Sequence, residues 1–217
     1  MGKLVESLAP AYGASIAGIL TSADTARLSD DVDLGPVDVA IDFTSASAVV
    51  RNLPVLARRG VNVVVGTTGW APHEAELRDV VSKAGIGVLA AANFSVGMNI
   101  FEFVVEEAAR RFARQGSVES WIHELHHSAK KDAPSGTALQ LKAAMERAGY
   151  TRRIDVTSTR VGAIPGTHEV GFDGPADTVT LTHTVRDRAV FARGALDAAR
   201  WLVGKRGWFT IRDMLET

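Results

Sequence analysis

The chain has 217 residues, 46% hydrophobic and 23% charged, with a formal charge of -1. It can bury one large core or two small ones, and its charge balance argues against a nucleic-acid partner. It has no cysteine, which excludes disulfides and thiolate chemistry and fits a reducing, cytoplasmic setting. No apolar run approaches the roughly 20 residues of a membrane span, and no signal peptide opens the chain.

Residues 3–11 read as a short helix, with Leu4, Val5 and Leu8 at helical spacing and Gly13 closing it. ASIAGIL (14–20) is a continuous apolar run of the kind a covered parallel strand shows. Residues 21–36 are loop-like, and VDVAIDF (37–43) is a second strand. TSAS (44–47) offers capping hydroxyls to a helix over about 46–59, in which Pro54 predicts a kink or a late start. VNVVV (61–65) is a strand, GTTGW (66–70) a tight loop, 71–84 a helix and IGVLAAA (86–92) a strand. A long helix follows, from about 97 to 114. This alternation predicts an α/β, Rossmann-like, doubly wound parallel sheet.

After that the pattern changes. VESWIHELHH (118–127) is a strand and 135–148 a helix ended by Gly149. Three strands at 154–161, 168–172 and 177–185 then follow with almost no helix between them. They predict a second, α+β domain with an antiparallel or mixed sheet. A helix over 191–203 returns to the first domain. The expected division is 1–94 with 192–217, and 95–191.

The chemistry concentrates in ELHHSAKKDAPSGTAL (124–139). Ser135 is placed as an N-cap, so Gly136 and Thr137 fall in the first helical turn with backbone N–H groups free to bind an anion, a carboxylate or a phosphate. His126 and His127 lie at the end of the preceding strand, and Lys130 and Lys131 on the connecting loop. Imidazole can hold or deliver a proton near neutral pH, and an ammonium can neutralise a bound anion. The grouping suits a small anionic substrate that is protonated during reaction. No metal site is expected: adjacent strand histidines diverge, and no Cys or carboxylate pair sits at ligand spacing.

The same stretch closely resembles the signature of the dihydrodipicolinate reductase family, E-x-H-H-x-x-K-x-D-A-P-S-G-T-A. GTTGW (66–70), AANFSVGMN (91–99), RVGAIPGTHEVGF (160–172), LTHTV (181–185) and FARGALDAARWL (191–202) are similar to other segments of that family. The resemblance implies reduction of hydroxy-tetrahydrodipicolinate by NADPH or NADH in lysine and diaminopimelate biosynthesis, and a cytoplasmic homotetramer. It implies that His126 and Lys130 handle protons, and that His127, Ser135, Gly136 and Thr137 hold the dicarboxylate. Gly66, Thr67, Thr68, Ala91, Ala92, Asn93 and Phe94 are implied to contact the nucleotide. Lys131 reads as solvated, Arg160 as a charge aid or a structural group, and His123, His168 and His183 as packed or surface groups.

The family's first domain opens with a strand and a G-x-x-G-x-M-G loop, and Met1-Gly2 fits only the end of that loop. The expectation is an incomplete first domain, with a gap between 14–20 and 61–65 or an unordered stretch over 1–36, and weak activity. Either residues upstream complete it, or this is a short form serving as a non-catalytic scaffold or regulatory subunit. The residues after 14–20 give no acidic group for a ribose diol and no arginine for a 2′-phosphate, a slight lean to NADPH.

Overall fold

A computed structural model describes residues 1–21, 28 and 35–217. The chain forms two compact units, Met1–Val96 with Ala189–Thr217, and Gly97–Arg188.

The first unit holds a four-stranded parallel sheet. Its strands are β1 (Val39–Asp42), β2 (Asn62–Val65), β3 (Gly87–Ala90) and β8 (Gly207–Phe209), in the order β1-β2-β3-β8. Val63, Val64, Val65, Val88 and Leu89 are buried, as both faces of a covered parallel sheet require. One layer is α2 (Ala46–Arg58) and α3 (Glu74–Ala84), which bury Val49, Leu53, Leu77 and Val81 against it. Ser45 caps α2 by accepting the Ala48 amide, and the helix runs through Pro54 without a late start. The other layer is α6 (Ala189–Leu202), with Ala195, Ala198 and Leu202 packed on Val64 and Leu89. The N-terminal α1 (Gly2–Leu8), continued by a 3-10 turn over Ala9–Tyr12, packs through Val5 and Ala9 on Ala192 and Leu196 of α6. A capping box between Thr210 and Asp213 starts α7 (Ile211–Leu215).

Three expectations change here. Residues 14–20 are not a strand: Ile16, Ile19 and Leu20 are exposed. An apolar run becomes a strand only when a neighbouring strand takes its amides and carbonyls, and among the described residues no strand pairs with it. The expected gap beside 61–65 is also absent, because β2 is paired on both sides, by β1 and β3. Finally, 207–209 is a strand that sequence reading missed. Three residues show no period, and they pair with β3 because Gly87 lets the Lys205 carbonyl approach. Most of the expected 21–36 loop lies outside the described residues.

The second unit is a mixed sheet of β4 (Glu119–His126), β5 (Ile154–Arg160), β6 (Thr167–Asp173) and β7 (Thr178–Thr184). The order is β5-β4-β6-β7, with only β4 and β5 parallel. Two parallel neighbours need a crossover, and α5 (Gly136–Arg147) supplies it. Met98, Phe101 and Val105 of α4 (Val96–Phe112) and Leu141 and Met145 of α5 cover Ile122, Val170 and Phe172.

Candidate active site

Side chains alternate along β4, so Ser120, Ile122, Glu124 and His126 share one buried face. Ile122 lies opposite Val156 and Val170, and Val170 opposite Leu181. One row further on, Glu124 lies opposite Ser158 and His168, and His168 opposite His183. The last row pairs His126 with Arg160. The face is thus apolar under the helices and ionisable at the carboxyl end of the parallel pair β4 and β5.

Glu124 is the centre of this end and is fully buried. Arg160 donates to it from both terminal nitrogens, at 3.0 and 2.6 Å, and the Ser135 amide donates at 3.2 Å. His126 Nδ1 contacts the same carboxylate. Burial would raise the Glu124 pKa, but hydrogen bonds from Arg160, Ser158 and His126 outweigh it and hold the group at about 2. Burial lowers the His126 pKa, with Glu124 opposing and Lys130 and Arg160 adding to the shift. His168 packs edge-on to His126, ring centroids 5.2 Å apart. Burial, helped by the charge of His126, pushes its pKa down to about 4, so it is neutral at working pH. Glu124, His126 and His168 present donor atoms within 4.8 Å of one another. Both carboxylate oxygens already bind a guanidinium, however, and a cation placed there would meet its charge.

The loop from His127 to Pro134 returns the chain to α5. Ser135 caps that helix by accepting the Ala138 amide at 3.2 Å, and its hydroxyl also meets His168 Nε2 at 3.2 Å. The half-buried Lys130 holds Asp132 through Nζ at 2.7 and 2.9 Å. That contact, and the Gly136 amide, favour the Asp132 carboxylate form. Arg160 reaches across to the Asp132 carbonyl at 2.6 Å and so ties the loop to the sheet. Lys131 is exposed.

Of the residues singled out from sequence, the structure joins His126 and Ser135 through Glu124, and sets Lys130 and Gly136 around Asp132. His127 is half-buried beside His126, and Thr137 half-buried in the first turn of α5. Sequence reading missed Glu124, Arg160 as its partner, and the place of His168 beside His126. The available signal was a carboxylate two residues before a strand histidine, which alternation places on the same face.

In the first unit, three loops follow the carboxyl ends of adjacent parallel strands, where open α/β sheets bind ligands. Asp42 stitches two of them together: its Oδ1 accepts the Thr44 amide (2.9 Å), the Thr44 hydroxyl (2.7 Å) and the Thr67 hydroxyl (2.8 Å). Gly66 must lack a side chain, because a Cβ would lie 2.1 Å from the Phe43 ring. Thr68 is exposed at the turn, and the Trp70 indole bonds the Thr67 carbonyl at 2.7 Å. On the third loop Ala91 bonds back to Val65 and Ala92 is exposed. Asn93 accepts the Ser95 amide at 2.8 Å. Phe94 is buried, with its carbonyl where a Cβ on Gly194 would stand, 1.7 Å away. These small and hydroxylated residues at strand ends leave room for a ligand to approach the backbone.

A parallel α/β unit with open loops at its strand ends, followed by a mixed-sheet unit with a histidine, a lysine and a helix N-terminus, defines a two-unit α/β protein with a candidate site in each. The sequence profiles described as "Dihydrodipicolinate reductase, N-terminus" and "Dihydrodipicolinate reductase, C-terminus" match residues 5–94 and 97–215. The chain belongs to the dihydrodipicolinate reductase family. A protein of Methanoculleus marisnigri named 4-hydroxy-tetrahydrodipicolinate reductase is 42% identical, over 77% of this chain and 71% of its own. One of the same name from Acidiphilium cryptum is 37% identical, over 99% of this chain and 93% of its own. The solved structure described as dipicolinate-bound dihydrodipicolinate reductase from Paenisporosarcina sp. TG-14 has the same fold. Its TM-score is 0.71 at 22% identity, over 80% of this chain and 71% of that one.

Proposed function

We propose that the chain catalyses NAD(P)H-dependent reduction of 4-hydroxy-tetrahydrodipicolinate to tetrahydrodipicolinate, a step of lysine and diaminopimelate biosynthesis. The observation that carries this is the placing of His126, Lys130 and the start of α5 around one loop at the carboxyl end of β4. Bound NADPH or NADH supplies a hydride. The reaction takes up that hydride and one proton and releases one water, so the protein's task is to hold a dianion and manage a proton.

Gly136 and Thr137 N–H groups and the helix dipole receive a substrate carboxylate, with Ser135 fixing the turn and His127 lining the approach. Lys130 exchanges Asp132 for the substrate and donates a proton as charge develops. His126 holds or moves a proton. Gly66, Thr67, Thr68, Ala91, Ala92, Asn93 and Phe94 orient the nucleotide through backbone and short side chains. The active assembly is a cytoplasmic homotetramer, as family membership supports. Among the described residues no helix is long and apolar enough to cross a membrane.

The test is oxidation of each reduced nucleotide by the purified chain with freshly generated substrate, with pyridine-2,6-dicarboxylate as inhibitor. Turnover of roughly 1–10³ s⁻¹, blocked by the dicarboxylate, is expected. Rates equal to the protein-free control with both nucleotides would overturn the reading.

A further inference from the structure

We infer that Glu124 is the positioning residue that decides which nitrogen of His126 handles the proton, an inference that rests on the reductase reading above. Glu124 and His126 are two apart on β4 and so project side by side. A fully buried carboxylate is tolerated only when its charge is compensated, and Arg160 already does that from two nitrogens. Arg160 is itself anchored on the Thr159 and Asp132 carbonyls, at 2.9 and 2.6 Å. The added contact to His126 Nδ1 is therefore not needed for neutralisation. What it does is orient the ring.

An ionised carboxylate can only accept, so Nδ1 must carry the proton when the ring is neutral. The lone pair then sits on Nε2. That nitrogen faces Gly166, whose φ of 153° is a conformation side chains rarely adopt, and a Cβ there would stand 3.0 Å from Nε2. Glycine at 166 thus keeps clear the nitrogen that Glu124 leaves free.

Among the described residues, the charged and titratable groups around the ring are few. They are Glu124 on its own strand, Arg160 on β5, His168 on β6, and Lys130 with Asp132 on the loop. Arg160 and Lys130 oppose a positive ring, and the packed neighbour His168 is neutral at working pH. Glu124 is the group that favours imidazolium. It therefore does two things: it presents Nε2 to the reacting centre, and it stabilises the ring once Nε2 has taken a proton. The same carboxylate receives the Ser135 amide, so the proton-handling ring and the anion-binding helix start are set by one group.

The experiment is nitrogen-detected NMR of the histidine rings in the ligand-free full chain, with steady-state kinetics beside it. In the wild type, His126 is expected to carry its proton on Nδ1 when neutral. In Glu124→Gln, its pKa should fall, and the limb of the pH–rate profile belonging to His126 should move to lower pH with it. The kcat should drop about ten-fold or more, while the Kd for pyridine-2,6-dicarboxylate changes less than about three-fold. The double variant Glu124→Gln with Arg160→Gln removes the unpaired guanidinium; because Arg160 opposes a positive ring, its His126 pKa should fall less than in the single variant while the ring still loses its fixed Nδ1 proton, which separates positioning from misfolding. A wild-type ring with its proton on Nε2 would overturn the inference whatever the variants do. So would a Glu124→Gln protein that loses stability but keeps the wild-type pH profile. If the wild type turns nothing over, the reductase reading fails, and the tautomer of the wild-type ring still reports on Glu124.

Discussion

The two candidate sites use the same placement in opposite ways. In the first unit the loops after β1, β2 and β3 lie at the carboxyl ends of parallel strands, and they are built from glycine, alanine, threonine and backbone. In the second unit the carboxyl ends of the parallel pair β4 and β5 carry Glu124, His126 and Arg160. The first arrangement sets shape, because a nucleotide needs backbone approach and few charges. The second sets protonation states, because proton transfer needs groups whose pKa is tuned by neighbours. Damage to the first should therefore appear in binding and packing, and damage to the second in chemistry and pH dependence.

The largest test of that contrast is His126→Gln. It should lower kcat by about 10²–10⁴-fold with little change in KM, the signature of a role in the transition state. A variant keeping more than half of the wild-type kcat would remove the second unit's claim to the chemistry.

Next comes the pH dependence of stability. His168 is 4% exposed, with a folded pKa of about 4 against an ordinary 6.5. Between those values the unfolded chain binds the proton and the folded chain does not, so the stability His168 provides is lost as pH falls from 6.5 towards 4. The shift corresponds to at most about 3 kcal/mol, and His168→Gln should flatten the curve. Asp197 of the first unit has the opposite sign: burial raises its pKa, with Arg200 opposing. Its contribution falls as pH rises above the ordinary carboxylate value. In thermal unfolding followed across acid pH, His168→Gln and Asp197→Asn should change the slope of stability against pH in opposite senses. Changes of the same sign in the two variants would break the comparison.

Gly194→Ala should act on the first unit alone. Its Cβ meets the Phe94 carbonyl, a backbone clash costing about 1–3 kcal/mol that displaces the 91–94 loop. Nucleotide affinity measured by calorimetry should weaken, with dicarboxylate affinity unchanged. Smallest of all is Lys131→Ala, an exposed position expected to change stability by less than about 0.5 kcal/mol. Lys130→Ala should weaken dicarboxylate binding, and equal Kd values for the two variants would reject Lys130 as a contact.

Much of this was legible in the chain. Period and punctuation placed β1 to β7 and α2 to α6 within a few residues. The stretch 124–139 marked Ser135 as a cap, because capping is a local interaction between residues three apart. The 14–20 run was misread because hydrophobicity reports a preference for burial, not the presence of a partner. β8 was missed because its three residues owe their conformation to β3. Arg160 was left undecided because its partner is 36 residues away along the chain.

By itself, then, the sequence determined most of the local elements, the two-domain pattern and the residue types available for chemistry, all of which follow from short-range sterics and alternation. Only the tertiary structure decided that Arg160, His126 and Ser135 converge on Glu124, with His168 set against Ser135 and His126. Strand register made that choice. In the parallel pair His126 meets Arg160, and in the antiparallel pair Glu124 meets His168. Register is fixed by the apolar rows beneath, where Ile122, Val156 and Val170 must face one core.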